Sequence, residues 1–187
     1  MGCGGKGKEV NFDTASEIEY RVAKYFDPRR NIIVPNVWWG WGLNHECDLV
    51  VLTKSGYAYE VEIKVSKSDL RADLKKRWGH SSKRLRRLYF AVPEKLESCA
   101  LELVPKSAGI LKIQQTDTGR WPYPGNVSKV REAQINLEAR RLNPEEELKL
   151  AALGTMRIWT LKRAYSSLWE RYENECNPHQ WRMEYLG

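Results

Sequence analysis

Two acidic residues and one lysine are spaced along this chain in a way that favours metal chemistry. Asp48 begins an apolar segment, and Glu62 and Lys64 follow it, two residues apart. Carboxylate oxygens bind hard divalent cations such as Mg²⁺. A bound cation lowers the pKa of its water, and a neighbouring lysine can orient that water and stabilise developing negative charge. The three side chains can do this chemistry only if the fold brings them together.

The segments around these residues predict a β-hairpin. Residues 48–53 form a compact apolar strand, and residues 57–65 alternate between apolar and charged side chains, as in a strand with one buried face. Residues 54–56 lie between them, and Gly56 can adopt the positive φ that a tight turn requires.

The register of this hairpin decides whether the acidic residues meet. With a three-residue loop, Asp48 lies directly opposite Glu62, with Cβ atoms about 4.5–5.5 Å apart. A two-residue loop would put the two carboxylates on opposite faces of the sheet. The first register predicts a divalent-metal site at Asp48 and Glu62, with Lys64 on the same face and Glu60 as an additional metal candidate. The alternative interpretation is a solvated acidic face.

The pattern Asp-(x)13-Glu-x-Lys resembles the signature of the PD-(D/E)XK nucleases. In order and spacing, longer stretches resemble the MmcB-like DNA repair branch of that superfamily. The resemblance covers roughly residues 14–115. It departs from the family in having no proline before Asp48 and in a longer, more basic stretch at residues 74–87. The matching stretches are residues 46–51, 60–73, 88–93 and 108–111.

This resemblance implies an α/β fold of the restriction-endonuclease type, with a mixed central sheet flanked by helices. It also implies that Asp48 and Glu62, joined by the Ile63 carbonyl, bind Mg²⁺, for which Mn²⁺ can substitute, and that Lys64 positions the attacking water. The expected activity is hydrolysis of DNA phosphodiesters in repair, recombination or the processing of phage and mobile-element DNA. Two alternatives stay open: a repair factor that binds DNA without cleaving it, and a subunit that recruits a catalytic partner through its C-terminal helices.

Members of this family also carry a glutamate on the first helix, and the helix expected at residues 14–26 offers two. Thr14 and Glu17 form the pattern of a capping box, in which Glu17 already has a partner. Glu19 shares the inward face of Val22 and its apolar neighbours, so its carboxylate needs a partner. Glu19 is therefore the catalytic candidate on this helix, and Glu17 is the alternative.

A basic segment follows the expected metal strand. Residues 64–87 contain ten lysines and arginines and only two acidic residues. A charge run by itself usually marks a solvated face. Because this one adjoins the strand where a phosphate backbone would lie, it predicts a DNA-binding surface, partly on a helix at about residues 69–78. The expected DNA contacts are Lys67, Arg71, Lys75, Lys76, Arg77, Lys83 and Arg84.

Composition limits the remaining possibilities. No apolar run approaches the roughly 18 residues of a membrane span, so no membrane partner is expected. The four cysteines are far apart, which argues against disulfides and fits a reducing cytoplasm. His45 and Cys47 can bind metals, but the nearest other histidine is His80, so a zinc site is not expected. Three of the eight tryptophans lie in residues 37–42, where they either stack on an unpaired base or pack within the protein.

The rest of the chain predicts one domain and an extension. Strands at about 31–36, 87–92 and 109–114 and a short helix near 94–102 complete a nuclease-like domain at residues 10–125, after a disordered tail at 1–9. Helices expected at 127–142 and 145–174 form a helical extension at residues 126–187. The apolar residues of the second helix are spaced three or four apart. They either fold back on the core or contact another chain, which gives a homo-oligomer or a protein partner.

Overall fold

Six strands form one mixed sheet in the order β1-β2-β3-β4-β5-β6. The computed structural model describes residues 14–38, 41, 43, 45–74, 82–114 and 127–176. Neighbouring strands are antiparallel except for the pairs β3/β4 and β4/β5, which are parallel. The strands are β1 Ile32–Val37, β2 Cys47–Leu52, β3 Ala58–Ile63, β4 Leu85–Pro93, β5 Gly109–Ile113 and β6 Val127–Arg131.

Helices cover both faces of this sheet. Successive residues of a strand point to opposite faces, and Ala91 packs in a cluster with α1 whereas Phe90 packs in a cluster with α2 and α3. The helices are α1 Ala15–Tyr25, α2 Lys67–Leu74, α3 Glu97–Leu103, after a 3₁₀ turn at Glu94–Leu96, and α4 Pro144–Cys176. The expected mixed α/β sheet with flanking helices and a C-terminal helix is therefore confirmed. Among the described residues, none of the helices is both long and apolar enough to span a membrane.

The hairpin has the register that a three-residue loop predicts. Leu49 pairs with Val61, the Thr53 amide donates to the Tyr57 carbonyl at 3.0 Å, and Gly56 has a φ of 78°. Continuing the same register by one residue places Asp48 opposite Glu62. Side chains separated by thirteen residues in the sequence therefore meet at one end of the hairpin.

The prediction of a helix at residues 127–142 is wrong. Val127–Arg131 is instead an edge strand, with Val127 opposite Ile113 and Lys129 opposite Leu111. Arg131 anchors its end by donating from Nε to the Ala108 carbonyl at 2.8 Å. Pairing with the exposed edge of β5 outweighs local helix propensity. The sheet therefore extends beyond residue 125, and the helical part of the extension begins at Pro144.

The long helix α4 packs apolar side chains on the sheet through its first turns, and Arg157 adds a hydrogen bond from Nη2 to the Asn36 carbonyl of β1 at 2.6 Å. Leu150 is buried, and a Cβ added at Gly154 would lie 3.2 Å from a Val34 methyl group, so helix and strand approach closely there. From residue 155 to residue 172 the apolar side chains are exposed, and they do not pack on the core. The exposed set includes Ile158, Leu161, Tyr165, Leu168 and Tyr172.

Candidate active site

Asp48 is held against the end of β3. Ladder pairing between β2 and β3 runs to Leu49 and Val61. At the next position an Asp48 carboxylate oxygen, Oδ2, accepts a hydrogen bond from the Ile63 backbone amide at 2.7 Å. The Asp48 side chain keeps about a third of its surface exposed. Its carboxylate is thus fixed by backbone geometry and still open to a ligand from solvent.

Lys64 lies between the two expected metal ligands. Its Nζ donates to Glu62 Oε2 at 2.6 Å and lies 3.7 Å from Asp48 Oδ2. Lys64 and Glu62 are both buried. The Lys64 backbone amide donates to the Ala91 carbonyl at 3.0 Å, which ties this position to β4. The structure therefore brings together all three residues of the sequence pattern.

Glu62 has an oxygen suited to a cation. Its Oε1 atom is buried and accepts no hydrogen bond within the part of the chain that the structure describes. Burial first, and then the negative charge of Asp48, raise the pKa of Glu62 to about 7, although Lys64 opposes the shift. Asp48 and Glu62 both lie close to Lys64 Nζ, and Glu62 keeps a buried oxygen that accepts no hydrogen bond among the described residues. Carboxylate oxygens of this kind are the ligands that Mg²⁺ prefers. The residues present therefore fit the expected ion.

Glu19 joins this group from α1. Burial and the charge of Asp48 raise the pKa of the Glu19 carboxyl. Thr14 caps the helix as expected, its Oγ1 accepting from the Glu17 amide at 3.2 Å. The Glu17 carboxylate, however, accepts from Nε of the buried Arg21 at 3.0 Å. Glu17 therefore has a partner different from the one expected, and Glu19 is the glutamate of α1 that interacts with Asp48.

Glu60 belongs to a second cluster beside the first. It is fully buried, and its Oε1 lies 2.6 Å from His45 Nε2. The same histidine nitrogen lies 3.6 Å from Cys47 Sγ. Burial and then Glu60 raise the pKa of the Cys47 thiol. The sequence pattern indicates that His45 and Cys47 can bind a metal. It does not indicate that they contact Glu60, because this contact depends on how the segment before β2 lies against β3.

The basic segment is divided between exposed and paired side chains. Lys67, Arg71 and Lys83 are exposed, as a phosphate contact requires. Arg84 precedes β4, and its Nε donates to Glu146 Oε1 at 2.8 Å, which ties this segment to α4. Its contact with DNA stays a prediction. The expected contacts Lys75, Lys76 and Arg77 lie outside the described residues.

Two further arginines line a cleft that sequence reasoning missed. Lys83, Arg86 and Arg87 line a cleft of about 550 Å³ together with Glu60. Both arginines lie in the basic segment that the sequence singles out, so its charge pattern contained the signal. Glu60 lines this cleft and also belongs to the second cluster, so the two adjoin.

The tryptophan-rich loop packs at least in part. Trp41 is buried, and its Nε1 donates to the Glu146 carbonyl at 3.2 Å. It lies in one apolar cluster with Val50 and Leu150. Trp38 is 54% exposed. Packing therefore accounts for Trp41, and stacking on a base stays a prediction for Trp38.

Comparisons with known proteins bear on the fold. No protein-family model matches the chain, and no curated protein matches it. Among solved structures it is similar to the SPO1766 protein of unknown function from Silicibacter pomeroyi, with a TM-score of 0.54 and 18% sequence identity. The alignment covers 89% of this chain and 94% of that chain. At this identity the similarity shows a shared fold and nothing about activity.

Proposed function

We propose that the protein is a metal-dependent DNA nuclease of the PD-(D/E)XK type, resembling the MmcB-like DNA repair branch. The observation that carries the proposal is the position of Lys64 Nζ, 2.6 Å from Glu62 and 3.7 Å from Asp48. The three residues stand in the order and spacing of the nuclease signature, and Glu62 keeps a buried oxygen without a partner among the described residues. A merely solvated acidic face would not bury Glu62 and Lys64.

Each side chain has a role in this proposal. Asp48 and Glu62, with the Ile63 carbonyl, would hold Mg²⁺, which would lower the pKa of a water and offset charge on the phosphate. Lys64 orients the attacking water and stabilises the developing negative charge. Glu19 accepts a hydrogen bond from Lys64 or from a metal-bound water. A reducing cytoplasm fits the proposal, since Cys47 and Cys99 are free thiols.

The proposed DNA surface begins directly after the catalytic strand. Lys67 and Arg71 are exposed on α2, three and seven residues after Lys64. Lys83 and Arg86 add positive charge along the cleft, where the neighbouring Arg87 is paired with Glu132. Such side chains contact phosphates and position the duplex without reading its sequence. The scissile phosphate would then lie between the cleft and Asp48.

Cleavage of supercoiled plasmid by the purified full chain tests the activity. With Mg²⁺ or Mn²⁺, we expect nicked or linear product from the wild type and a loss of at least about 10² in rate from Asp48→Ala. Glu46→Gln is the matched control, because it removes a carboxylate from an exposed side chain two residues away. DNA binding without cleavage would instead support the non-cleaving repair factor.

The exposed half of α4 favours a second candidate function, a subunit that recruits a partner protein. Ile158, Leu161, Tyr165, Leu168 and Tyr172 alternate spacings of three and four, which is the seam of a coiled coil. Arg157, Lys162 and Arg171 occupy the positions flanking this seam. A second copy of the chain would place like charges against each other. The fitting partner is therefore an amphipathic helix with acidic flanks.

Two designed peptides test this partner chemistry. Both carry leucine at the seam positions, and they differ in having glutamate or lysine at the flanking positions. We expect the glutamate peptide to bind at least about tenfold more tightly. The two peptides differ by several attractive instead of repulsive pairs at about 0.2–1 kcal/mol each, and a factor of ten is about 1.4 kcal/mol. Tyr165→Glu should abolish binding. Equal binding of both peptides, binding of neither, or a stable homodimer by analytical ultracentrifugation would overturn the assignment.

A further inference from the structure

A second group of metal-binding side chains lies beside the proposed nuclease site. Candidate ligand atoms of His45, Cys47 and Glu60 all lie within 4.8 Å of one another. Cys47 and Glu60 are fully buried, and the His45 side chain is only 10% exposed. The three residues come from the segment before β2, the first residue of β2 and the middle of β3. An imidazole, a thiol and a carboxylate thus converge from separate parts of the hairpin.

The donor types distinguish this cluster from the Asp48 and Glu62 pair. Mg²⁺ prefers oxygen ligands, whereas sulfur and imidazole nitrogen select zinc and related transition metals. At a tetrahedral zinc ion, bond lengths near 2.0 Å to nitrogen and 2.3 Å to sulfur place these two atoms about 3.6 Å apart. Cys47 Sγ and His45 Nε2 are 3.6 Å apart.

The contact between His45 and Glu60 is a direct hydrogen bond at 2.6 Å. Ligands of one tetrahedral ion with bonds near 2.0 Å lie about 3.3 Å apart, so an ion would replace this bond after an opening of about 0.7 Å. His45 lies outside a regular strand, before β2 begins. The opening can therefore occur at His45 while Cys47 and Glu60 stay in the sheet.

We propose that His45, Cys47 and Glu60 bind one transition-metal dication of the zinc class at a site separate from the proposed Mg²⁺ site. Three protein ligands leave a fourth position for a water molecule. The ion joins the segment before β2 to the centre of β3. Glu60 and Glu62 are two residues apart, or about 6.6 Å along the strand. The positive charge therefore also stabilises the buried carboxylate of Glu62 in the adjacent site.

Binding of Co²⁺ to the full chain tests the site, because Co²⁺ takes zinc ligands and gives a near-ultraviolet charge-transfer band only when bound to a thiolate. We expect this band at one Co²⁺ per chain. Millimolar Mg²⁺ should leave the band unchanged, and Zn²⁺ should displace it. Cys47→Ser should abolish the band, and His45→Ala should weaken Co²⁺ binding by at least about tenfold.

Replacing the other three cysteines provides the matched control. A variant with serine at Cys3, Cys99 and Cys176 should keep the band, because Cys47 remains. The Zn²⁺ displacement measurement on the wild type needs no variant and is unaffected if one fails to fold. No thiolate band in the wild type, or a band that survives Cys47→Ser, would overturn the proposal and leave His45 and Glu60 as a hydrogen-bonded pair.

The nuclease proposal and the zinc-class site are tested independently of each other. Asp48→Asn should keep the cobalt band while plasmid cleavage is lost. A band that is present when no cleavage occurs would support the zinc-class site and reject the nuclease. Cleavage by a chain that gives no thiolate band would do the reverse.

Discussion

Glu62→Gln is the substitution that most directly tests the electrostatics of the proposed active site. Glutamine has nearly the shape of a protonated glutamate and stays neutral at every pH. In the folded protein without metal, burial and Asp48 raise the pKa of Glu62 from 4.5 to about 7. The wild-type carboxyl therefore loses its proton at a higher pH in the folded chain than in the unfolded chain.

The sign and size of the effect follow from this difference in pKa. Between pH 4.5 and about 7 the unfolded chain binds fewer protons at Glu62 than the folded chain does, so the free energy of unfolding falls as pH rises. This stabilisation of the folded state is fully present below pH 4.5 and is lost above about pH 7. It amounts to about 3 kcal/mol, taking 1.36 kcal/mol for each pKa unit. Glu62→Gln should remove this dependence.

Urea unfolding in the presence of a chelator measures the effect. The free energy of unfolding of Glu62→Gln minus that of the wild type should be small near about pH 4 and rise to about 3 kcal/mol near about pH 8. Taking the difference cancels the titration of other groups. Glu46→Gln, an exposed carboxylate beside the site, is the control and should give a flat difference.

Divalent ions should nearly remove this difference in stability. At about pH 8, Mg²⁺ at 100 times its dissociation constant should stabilise the wild type by about 2.7 kcal/mol and leave Glu62→Gln unchanged. A difference between the two proteins that does not vary with pH would show that Glu62 titrates normally in the folded state. An equal response to Mg²⁺ would show that the ion binds elsewhere. Either result would refute the reasoning.

Three further predictions concern chemistry, DNA binding and packing. Lys64→Met should leave DNA affinity within a few-fold and lower the cleavage rate by about 10² or more; cleavage at the wild-type rate would rule out the proposed role. Replacing exposed Lys67 and Arg71 with alanine should reduce the slope of log affinity against log salt by about 1.4–1.8. An unchanged slope would show that the two side chains are solvated and do not contact phosphates. Gly109→Ala should destabilise the fold by about 1–3 kcal/mol, because the added Cβ would lie 2.8 Å from a backbone nitrogen and also meet a tyrosine ring. Gly154→Ala on α4 is its control, since there the nearest atom is a methyl group at 3.2 Å; similar thermal unfolding of both variants would contradict this reading of the packing.

The basic segment and the C-terminal part show where local patterns mislead. Arg84 looks like its neighbours in the sequence, yet it pairs with Glu146, sixty-two residues away. Residues 127–131 form a strand because β5 offers an unpaired edge, and nothing within those five residues specifies that edge. The apolar spacing of α4 is evident from the sequence, but only the structure shows that the core covers its first turns and leaves residues 155–172 exposed.

The sequence by itself determined the hairpin that brings Asp48, Glu62 and Lys64 together. Strand alternation and a turn glycine are local properties, and a hairpin register depends on little else. Only the tertiary structure decided that Glu19 lies close enough to Asp48 for the charge of Asp48 to raise the pKa of Glu19, and that His45 contacts Glu60. Those contacts join a helix and an irregular segment to the sheet. Their geometry depends on how whole elements pack across the core, which residue periodicity does not encode.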